Sequence, residues 1–395
     1  HGKFRRQRQM CIRDRALAGA ESVASALTYP GQICTLIAPG DHAWTDGAKV
    51  AASITPPKTE RPKNTEIKEA AALLKSSGQA ALFLGGRALR EDALFHAGRI
   101  AAATGARLIC ETLPARLQRG AGRVEVERLP YFAEMATECL SGLRQMVFIG
   151  AKPPVAFFAY PGKPSWLSPS SATLFEFHKT SIDAESTLRR LADELAAPAS
   201  PKVVKQEPPP TFVEGKLTRQ SAGIITAALI PEDAIVSDES GTSGGPFYNH
   251  AATSPKHDWL IITGGSIGQG LPVATGAAVA CPERKVIALQ ADGGGMYTLQ
   301  ALWTMARENL DVTIIIMKNN SYGILNIELG RVGVENPSEK TLSLLDLTNP
   351  ILDWVALSTG MGVPASSVTT TDEFSSALKD AINHKGPRLI EAVLV

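Results

Sequence analysis

The fold of this chain is decided by residues 285–323, which read KVIALQADGGGMYTLQALWTMARENLDVTIIIMKNNSYG. Apolar runs predict one strand from Lys285 to Gln290 and a second from Val312 to Met317, and the segment Tyr297 to Asn309 between them predicts a helix. In a parallel sheet the carboxyl ends of both strands lie at one edge, where α/β proteins bind ligands. The pattern therefore predicts a strand-helix-strand unit with a ligand site at that edge.

Oxygen-bearing side chains follow both strands. Asp292 follows the first strand and Asn319 follows the second, 27 positions later. A carboxylate, an amide oxygen and a nearby carbonyl are hard ligands that suit Mg²⁺, which completes its shell with water and substrate phosphates. The three glycines after Asp292 allow close backbone approach and offer amides to an anion. Asp-Gly and Asn-Asn are also common turn residues after strands, so either pair alone is explained by an ordinary loop. The two pairs together, at this spacing, indicate a site for a metal and a phosphorylated cofactor.

The Asp292-Gly293 turn and the Asn319-Asn320 pair resemble the Mg²⁺ and cofactor signature of thiamine diphosphate enzymes. That signature is a Gly-Asp-Gly followed by an Asn-Asn. Ala291 replaces the first glycine, a small change that leaves the carboxylate free. The family register selects Asn319 as the amide ligand, which makes Asn320 a neighbour. The resemblance implies that Asp292, Asn319 and the main-chain carbonyl of Ser321 bind the metal.

A second segment, residues 263–272 (TGGSIGQGLP), resembles the glycine-rich turn of the same family. In the family a bulky apolar residue four positions before Leu-Pro wedges between the two cofactor rings, and here that residue is Ile267. A dinucleotide-binding motif is the rival interpretation, but the glycines run in the wrong order, G-x-x-G-x-G. Ile267 is thus the residue expected to bend the cofactor.

A third segment, residues 238–243 (DESGTS), resembles the strand-end loop that holds the diphosphate, with Gly241 and Thr242 at the matching positions. Ile324 and Leu325 correspond to residues that face the substrate in relatives, although packing within a helix explains them equally well. The cofactor-binding set implied by the resemblance is Gly241, Thr242, Gly265, Ser266, Ile267, Asp292, Gly293, Gly294, Asn319, Ser321 and Tyr322.

Residues 16–395 resemble the catalytic large subunit of acetolactate synthase and its relative benzoylformate decarboxylase. The resemblance implies decarboxylation or carboligation of a small-molecule 2-oxo acid, with thiamine diphosphate and Mg²⁺ as cofactors. It also implies a homodimer or homotetramer for a full-length parent. Two alternatives stay open, a benzoylformate decarboxylase-like enzyme and a non-catalytic cofactor-binding or assembly module. A plain NAD-binding protein is excluded because no ordered glycine motif with a downstream acid is found.

The expected fold class is α/β, with two doubly wound parallel-sheet domains after the remnant of a third. Residues 1–15 are expected to be foreign to the fold or disordered, and residues 16–54 to be the tail of a truncated pyrimidine-binding domain, with a helix from Ala16 to Leu27 and a strand from Gln32 to Ala38. A central Rossmann-like domain is expected at 66–197, a linker at 198–211 and the diphosphate-binding domain at 212–395.

Further elements follow from hydrophobic periodicity. The predicted strands are Ala80 to Leu84, Arg107 to Cys110, Gln145 to Ile149, Ala172 to Phe177, Ala234 to Ser237 and Arg388 to Val395. The predicted helices are Lys216 to Leu229, Ile351 to Thr359 and Asp372 to Ile382.

Two departures from the family and two histidines bear on activity. The glutamate that activates the cofactor in relatives belongs to the first domain and has no match here, so this chain by itself is expected to be inactive. FAD, which acetolactate synthases bind through the middle domain, is doubtful because GAKPP at 150–154 stands where an Asp pair is expected. His250 and His257 are candidate acid/base groups, although solvated loop histidines are more common.

Composition limits the other classes of function. No apolar run approaches the ~20 residues of a membrane helix, and the five cysteines show no metal or disulfide spacing, so a cytoplasmic protein is expected. The basic residues 1–15 are the one segment suited to nucleic acid. Nothing elsewhere supports that role, and neither a nucleic-acid nor a membrane partner is expected.

Overall fold

The computed structural model describes residues 15–44, 46, 49–76, 79–160, 162–177, 182–208, 211 and 214–395. The segment predicted to be foreign lies outside these residues except for Arg15, and so do parts of the predicted linker. Helix α1 spans Arg15–Leu27, as predicted. The strand predicted from Gln32 to Ala38 is wrong, since these residues are exposed and have no strand assignment. Without a neighbouring strand to pair with, an apolar run cannot form a sheet.

The central region forms a five-stranded sheet in the order β4-β2-β1-β5-β6, and every pair in it is parallel. All four strands predicted here are confirmed, with the last one shorter than expected. The elements, in chain order, are α2 Asn64–Lys75, β1 Ala80–Leu84, α3 Glu91–Thr104, β2 Arg107–Cys110, β3 Leu117–Arg119, β4 Glu127–Arg128, α4 Ala133–Leu140, β5 Gln145–Ile149, β6 Thr173–Glu176 and α5 Ala184–Glu194.

The carboxyl-terminal region forms a seven-stranded sheet in the order β11-β12-β10-β9-β7-β8-β3. Its elements are α6 Arg219–Leu229, β7 Ala234–Glu239, α7 Gly245–His250, β8 His257–Ile261, α8 Gly270–Ala280, β9 Val286–Ala291, α9 Asp292–Gly295, α10 Ala301–Arg307, β10 Val312–Lys318, α11 Gly323–Arg331, α12 Glu339–Ser343, α13 Trp354–Gly360, β11 Ala365–Val368, α14 Thr371–Asn383 and β12 Arg388–Val393. The doubly wound parallel fold predicted from the sequence is therefore present.

Two local predictions in this region need correction. The helix expected from Tyr297 to Asn309 is shorter, α10 from Ala301 to Arg307, because the chain before it forms turns, in which Tyr297 N donates to Gly294 O (3.2 Å). Strand β8 was not predicted. The short strand β3, which lies in the sequence of the central region, pairs antiparallel with β8 and so joins the other sheet.

The inner strands of both sheets are largely buried. All residues of β1 and β10 are buried, as expected for parallel strands covered by helices on both faces. Phe83 in β1 and Phe148 in β5 pack with ring centroids 5.4 Å apart in the central sheet. This packing explains why continuous apolar runs located these strands. No helix within the described ranges combines the length and apolarity needed to cross a bilayer.

Candidate functional site

Strands β9 and β10 bring their carboxyl ends to one edge of the sheet. The register pairs Met317 with Ala291, so the residues that follow each strand are neighbours. The Asp292 carboxylate accepts hydrogen bonds from Asn319 N at 3.1 Å and from Asn320 N at 2.7 Å through Oδ2, and from Gly293 N at 2.9 Å through Oδ1. The proximity of Asp292 and Asn319 predicted from the strand-helix-strand pattern is therefore found.

The environment of Asp292 suits a cation. Its side chain is buried, and burial raises the pKa of the Asp292 carboxyl, while the three backbone amides act in the opposite direction and only partly offset the effect. A buried carboxylate is costly unless its charge is compensated. A divalent cation would supply that compensation, so the residues fit the metal that the sequence pattern implies.

The two asparagines after β10 differ in their surroundings. Asn319 Oδ1 accepts a hydrogen bond from Ser321 N at 3.1 Å. Asn320 has a positive φ of 54°, and its buried Oδ1 has no hydrogen-bond partner among the residues described. Both asparagines thus lie next to Asp292, with the side-chain oxygen of Asn319 already bonded and that of Asn320 unpaired.

A metal at this edge would have few protein ligands. Within the described part of the chain no cluster of three or more His, Cys, Asp or Glu side chains exists. The candidate ligands are one carboxylate, one amide oxygen and one main-chain carbonyl, of Asp292, Asn319 and Ser321. Such a set suits Mg²⁺, which keeps several positions for water and phosphate oxygens, and not a zinc site built from Cys and His.

The glycines after Asp292 let neighbouring side chains approach the backbone closely. A Cβ at Gly293 would lie 2.5 Å from Tyr322 Cε1, and one at Gly294 would lie 2.8 Å from Glu239 Oε1 and 3.5 Å from Ile267 Cγ2. Residues from three separate segments of the sequence motif therefore meet at these glycines. Any larger residue here would displace the neighbours that the resemblance assigns to the cofactor.

The glycine-rich turn holds Ile267 at the surface of the site, with 53% of its side chain exposed. Gly265 and Gly268 have φ values of 70° and 93°, which only glycine adopts without strain. Thr263 N donates to Gln269 Oε1 at 2.7 Å and ties the start of the turn to its end. The turn therefore presents Ile267 while Gly265 and Ser266 lie directly before it.

The segment predicted as the diphosphate loop begins later than expected. Asp238 and Glu239 belong to β7 and are buried, so the loop itself starts at Ser240. Gly241 lies close to Ala291, since a Cβ on Gly241 would be 3.7 Å from Ala291 Cβ. Thr242 lies close to Gly323, since a Cβ on Gly323 would be 3.0 Å from Thr242 Oγ1. Gly241 and Thr242 are therefore adjacent to the metal edge.

The two candidate histidines have different positions. His250 helps to line an open cleft of about 400 Å³ beside the predicted diphosphate loop, together with Arg219, Gln220, Thr242, Gly245, Pro246 and Asn249. His257 is not in a loop but in β8, fully buried. Burial lowers the pKa of His257 to about 3, helped by Arg119 and Arg123, so this ring is neutral and is not an accessible acid/base group. The alternative of a solvated loop histidine is wrong for His257 as well.

Ile324 and Leu325 lie in the first turn of α11, directly after the ligand loop. Helix α11 contains no buried residue, and the Leu325 side chain is 48% exposed. The structure therefore does not place either residue in a hydrophobic core, which removes the support for the helix-packing alternative.

At the central sheet, Gly85 and Gly150 follow the adjacent strands β1 and β5. A Cβ at Gly85 would lie 2.6 Å from Gly150 O, and one at Gly150 would lie 2.4 Å from Gly85 O. Chain order reverses between these two strands, which is where a doubly wound sheet usually binds a nucleotide. Here the two backbones pack against each other at that point.

Comparisons with known proteins agree with this geometry. Residues 239–392 match the family model described as the thiamine pyrophosphate enzyme, C-terminal TPP binding domain. A Mycobacterium tuberculosis protein named as a candidate acetolactate synthase large subunit, IlvX, is 46% identical over 378 residues, covering 95% of this chain and 73% of that protein. Benzoylformate decarboxylase of Pseudomonas aeruginosa is 33% identical over 53% of this chain and 39% of its own length.

A solved structure is similar over nearly the whole chain. The thiamine diphosphate-dependent 4-hydroxybenzoylformate decarboxylase of Rhodococcus jostii superposes with a TM-score of 0.79 at 24% identity, covering 98% of this chain and 75% of that one. At this identity the likeness concerns the fold. It supports the parallel-sheet architecture described above.

Proposed function

This chain belongs to the thiamine diphosphate-dependent enzymes related to acetolactate synthase large subunits, and from that premise we propose that it binds thiamine diphosphate through Mg²⁺ for the decarboxylation or carboligation of a 2-oxo acid. The observation that carries the proposal is the buried Asp292 carboxylate, which accepts hydrogen bonds from the Asn319 and Asn320 amides at the edge of the sheet. The similarity to benzoylformate decarboxylase favours a decarboxylase as the second candidate.

Each side of the site has a distinct task in this proposal. Asp292, Asn319 and the Ser321 carbonyl hold the metal, and the metal in turn holds a diphosphate. Gly241 and Thr242 border the diphosphate from β7, and Ile267 supports the bent shape of the ligand. When bound, the cofactor supplies the carbanion chemistry, while the protein binds and orients it.

The proton transfer that starts the reaction needs a further carboxylate. The resemblance assigns this task to a glutamate that no segment of residues 16–395 matches. We therefore propose that residues 1–395 by themselves bind the cofactor without turning over a 2-oxo acid, as a non-catalytic module would. Normal release of CO₂ from pyruvate or benzoylformate by these residues alone would overturn this part of the proposal.

FAD is left out of the proposed cofactor set. The expected Asp pair is missing from residues 150–154, and the close packing of Gly85 against Gly150 leaves little room at the strand ends where a nucleotide would lie. Flavin absorbance that copurifies with the protein in stoichiometric amount would contradict this assignment.

A second copy of the chain is the proposed partner. Ile267 and Tyr297 are 53% and 65% exposed, so the site is open on this side. Water must be excluded from a site that stabilises a carbanion. A homodimer or homotetramer in which another subunit covers this face would provide that exclusion.

Calorimetry with thiamine diphosphate tests the proposed function directly. We expect binding in the presence of Mg²⁺, none with EDTA, and a loss of at least a hundredfold in affinity for Asp292→Ala, since the carboxylate is the charged ligand of the metal. Asp380→Ala, which removes an exposed carboxylate on α14 of the same region, is the matched control and should bind normally. Unchanged affinity in Asp292→Ala would reject Asp292 as a ligand.

A further inference from the structure

Glu239 is a buried carboxylate that sequence reasoning did not single out. It is the last residue of β7 and is 3% exposed. Its Oε1 accepts a hydrogen bond from Gly268 N at 2.7 Å, and its Oε2 accepts one from Gly270 N at 2.5 Å. Both oxygens are therefore used by the backbone of the glycine-rich turn, immediately after Ile267.

These two amides lie where the turn becomes helix α8. Gly270 is the first residue of α8, and the residue before it, Gln269, makes no side-chain cap to the helix. The first amides of a helix lack intrahelical partners, and a negative charge is favoured there. Glu239 supplies this cap from the neighbouring strand, so the junction of turn and helix is held by a residue about thirty positions away in sequence.

The packing around Glu239 leaves it little freedom. A Cβ on Gly270 would lie 2.7 Å from Glu239 Cβ, and the Cβ position of Gly294 lies 2.8 Å from Glu239 Oε1 and 3.5 Å from Ile267 Cγ2. Glu239 and Ile267 thus border the same glycine of the metal edge. None of the ion pairs found in the described part of the chain includes Glu239, so backbone amides are what hold its carboxylate.

We propose that Glu239 is a positioning residue for Ile267: by binding the amides of Gly268 and Gly270 it fixes the turn from which Ile267 supports the bent cofactor. The inference rests on the proposed function for the identity of the ligand, thiamine diphosphate. Glu239 acts through the turn and does not need to contact the ligand itself.

Glu239→Gln is the test variant. The amide side chain has nearly the same shape, but its NH₂ group would face one of the two backbone N–H donors, so one hydrogen bond is lost. In the ligand-free protein we expect hydrogen exchange in residues 266–270 to become at least several-fold faster. With Mg²⁺ present we expect thiamine diphosphate affinity to fall roughly ten- to hundredfold, because binding must then order the turn that Glu239 no longer holds.

A double-mutant cycle separates positioning from general stabilisation. If Glu239 acts through Ile267, the variant carrying both Glu239→Gln and Ile267→Ala binds the cofactor no more weakly than Ile267→Ala alone. Glu232→Gln, an exposed glutamate just before β7, is the matched control and should leave both readouts unchanged. If Glu239→Gln does not fold, Glu239→Asp, which keeps the charge but shortens the reach, should fold and show the same coupling.

Two results would overturn the inference. Exchange in residues 266–270 that equals that of the unmodified protein would show that Glu239 does not hold the turn, whether or not the cofactor binds. Additive losses of affinity in the double variant would show that Glu239 acts independently of Ile267. Absence of thiamine diphosphate binding in the unmodified protein is a different result, which rejects the proposed function, and the exchange measurement then still decides whether Glu239 fixes the turn.

Discussion

Lys318 Nζ lies 2.9 Å from Glu391 Oε1 in the interior of the carboxyl-terminal sheet, and both side chains are buried. Glu391 also accepts hydrogen bonds from Trp354 N at 3.0 Å and Ser367 Oγ at 3.1 Å. The register by which the resemblance assigns Asn319 as the amide ligand puts Lys318 at the position of the first asparagine in the family's Asn-Asn pair. Because its side chain runs to β12 while the amide of the next residue, Asn319, bonds to Asp292, this departure leaves the metal edge intact.

Lys318→Met should destabilise the protein because it leaves the Glu391 carboxylate buried without its cation. We expect a loss of about 3 to 5 kcal/mol in the free energy of unfolding, measured by urea denaturation. The variant with both Lys318→Met and Glu391→Gln should recover most of that loss, since the uncompensated charge is gone. A single variant as stable as the parent would show that water or another group neutralises Glu391.

Asn319→Ala should abolish Mg²⁺-dependent binding of thiamine diphosphate, because it removes the amide ligand that the register assigns. Asn320→Gly is the comparison, chosen because glycine tolerates the φ of 54° at that position. Its affinity should change much less. Calorimetry that finds Asn320→Gly the more damaging substitution would show that the buried Oδ1 of Asn320 is the ligand and that the register is shifted by one.

Stability should fall in acid because of His257. Burial lowers the pKa of His257 to about 3 in the folded protein, whereas an unfolded histidine titrates near 6.5. Between these values the unfolded chain binds the proton and the folded chain does not, so stability decreases as pH falls below 6.5. Between pH 7.5 and pH 5 this residue lowers the free energy of unfolding by about 2 kcal/mol.

The control for this effect is His257→Phe, which keeps a ring in β8 but cannot titrate. Urea denaturation at pH 7.5 and pH 5 should show that the free energy of unfolding decreases less in the variant than in the parent. The difference should be about 2 kcal/mol. Identical losses would mean that the buried ring gains a proton in the folded state.

Arg331→Met should loosen α11, the helix that carries Ile324 and Leu325. Because α11 buries no residue, its far end depends on Arg331, whose Nη2 lies 3.0 Å from Glu134 Oε2 and whose guanidinium stacks 4.5 Å from the Phe132 ring centroid. We expect amide hydrogen exchange in 323–331 to become several-fold faster.

Arg307→Met, at an exposed arginine of α10, serves as the control for the loss of a surface charge. It should leave exchange in α11 as it was. If Arg331→Met also leaves that exchange unchanged, the loop that precedes α11 and the hydrogen bond from the Tyr160 hydroxyl to Glu328 hold the helix without Arg331.

Much of the fold could be predicted because most inner strands carry their own signal, β8 being the exception. Strands such as β1 and β10 are buried on both faces, so they are continuous apolar runs whatever their neighbours are. The strand predicted from Gln32 to Ala38 carries a similar local signal but has no strand to pair with. Strand β3 does pair with β8, but it is too short to carry a recognisable apolar pattern. Whether such a segment forms a strand depends on pairing with another strand, and that strand can be distant in the sequence.

The sequence by itself determined the positions of most parallel strands and the placement of Asp292 and Asn319 at the carboxyl ends of two of them, because both depend on short-range patterns. Only the tertiary structure decided that Glu239 binds the backbone amides of the turn after Ile267, that Lys318 pairs with Glu391, and that His257 is buried. The first two contacts join residues 29 and 73 positions apart. Their energies depend on burial and on which charges meet there, and a linear pattern of residue types contains neither quantity.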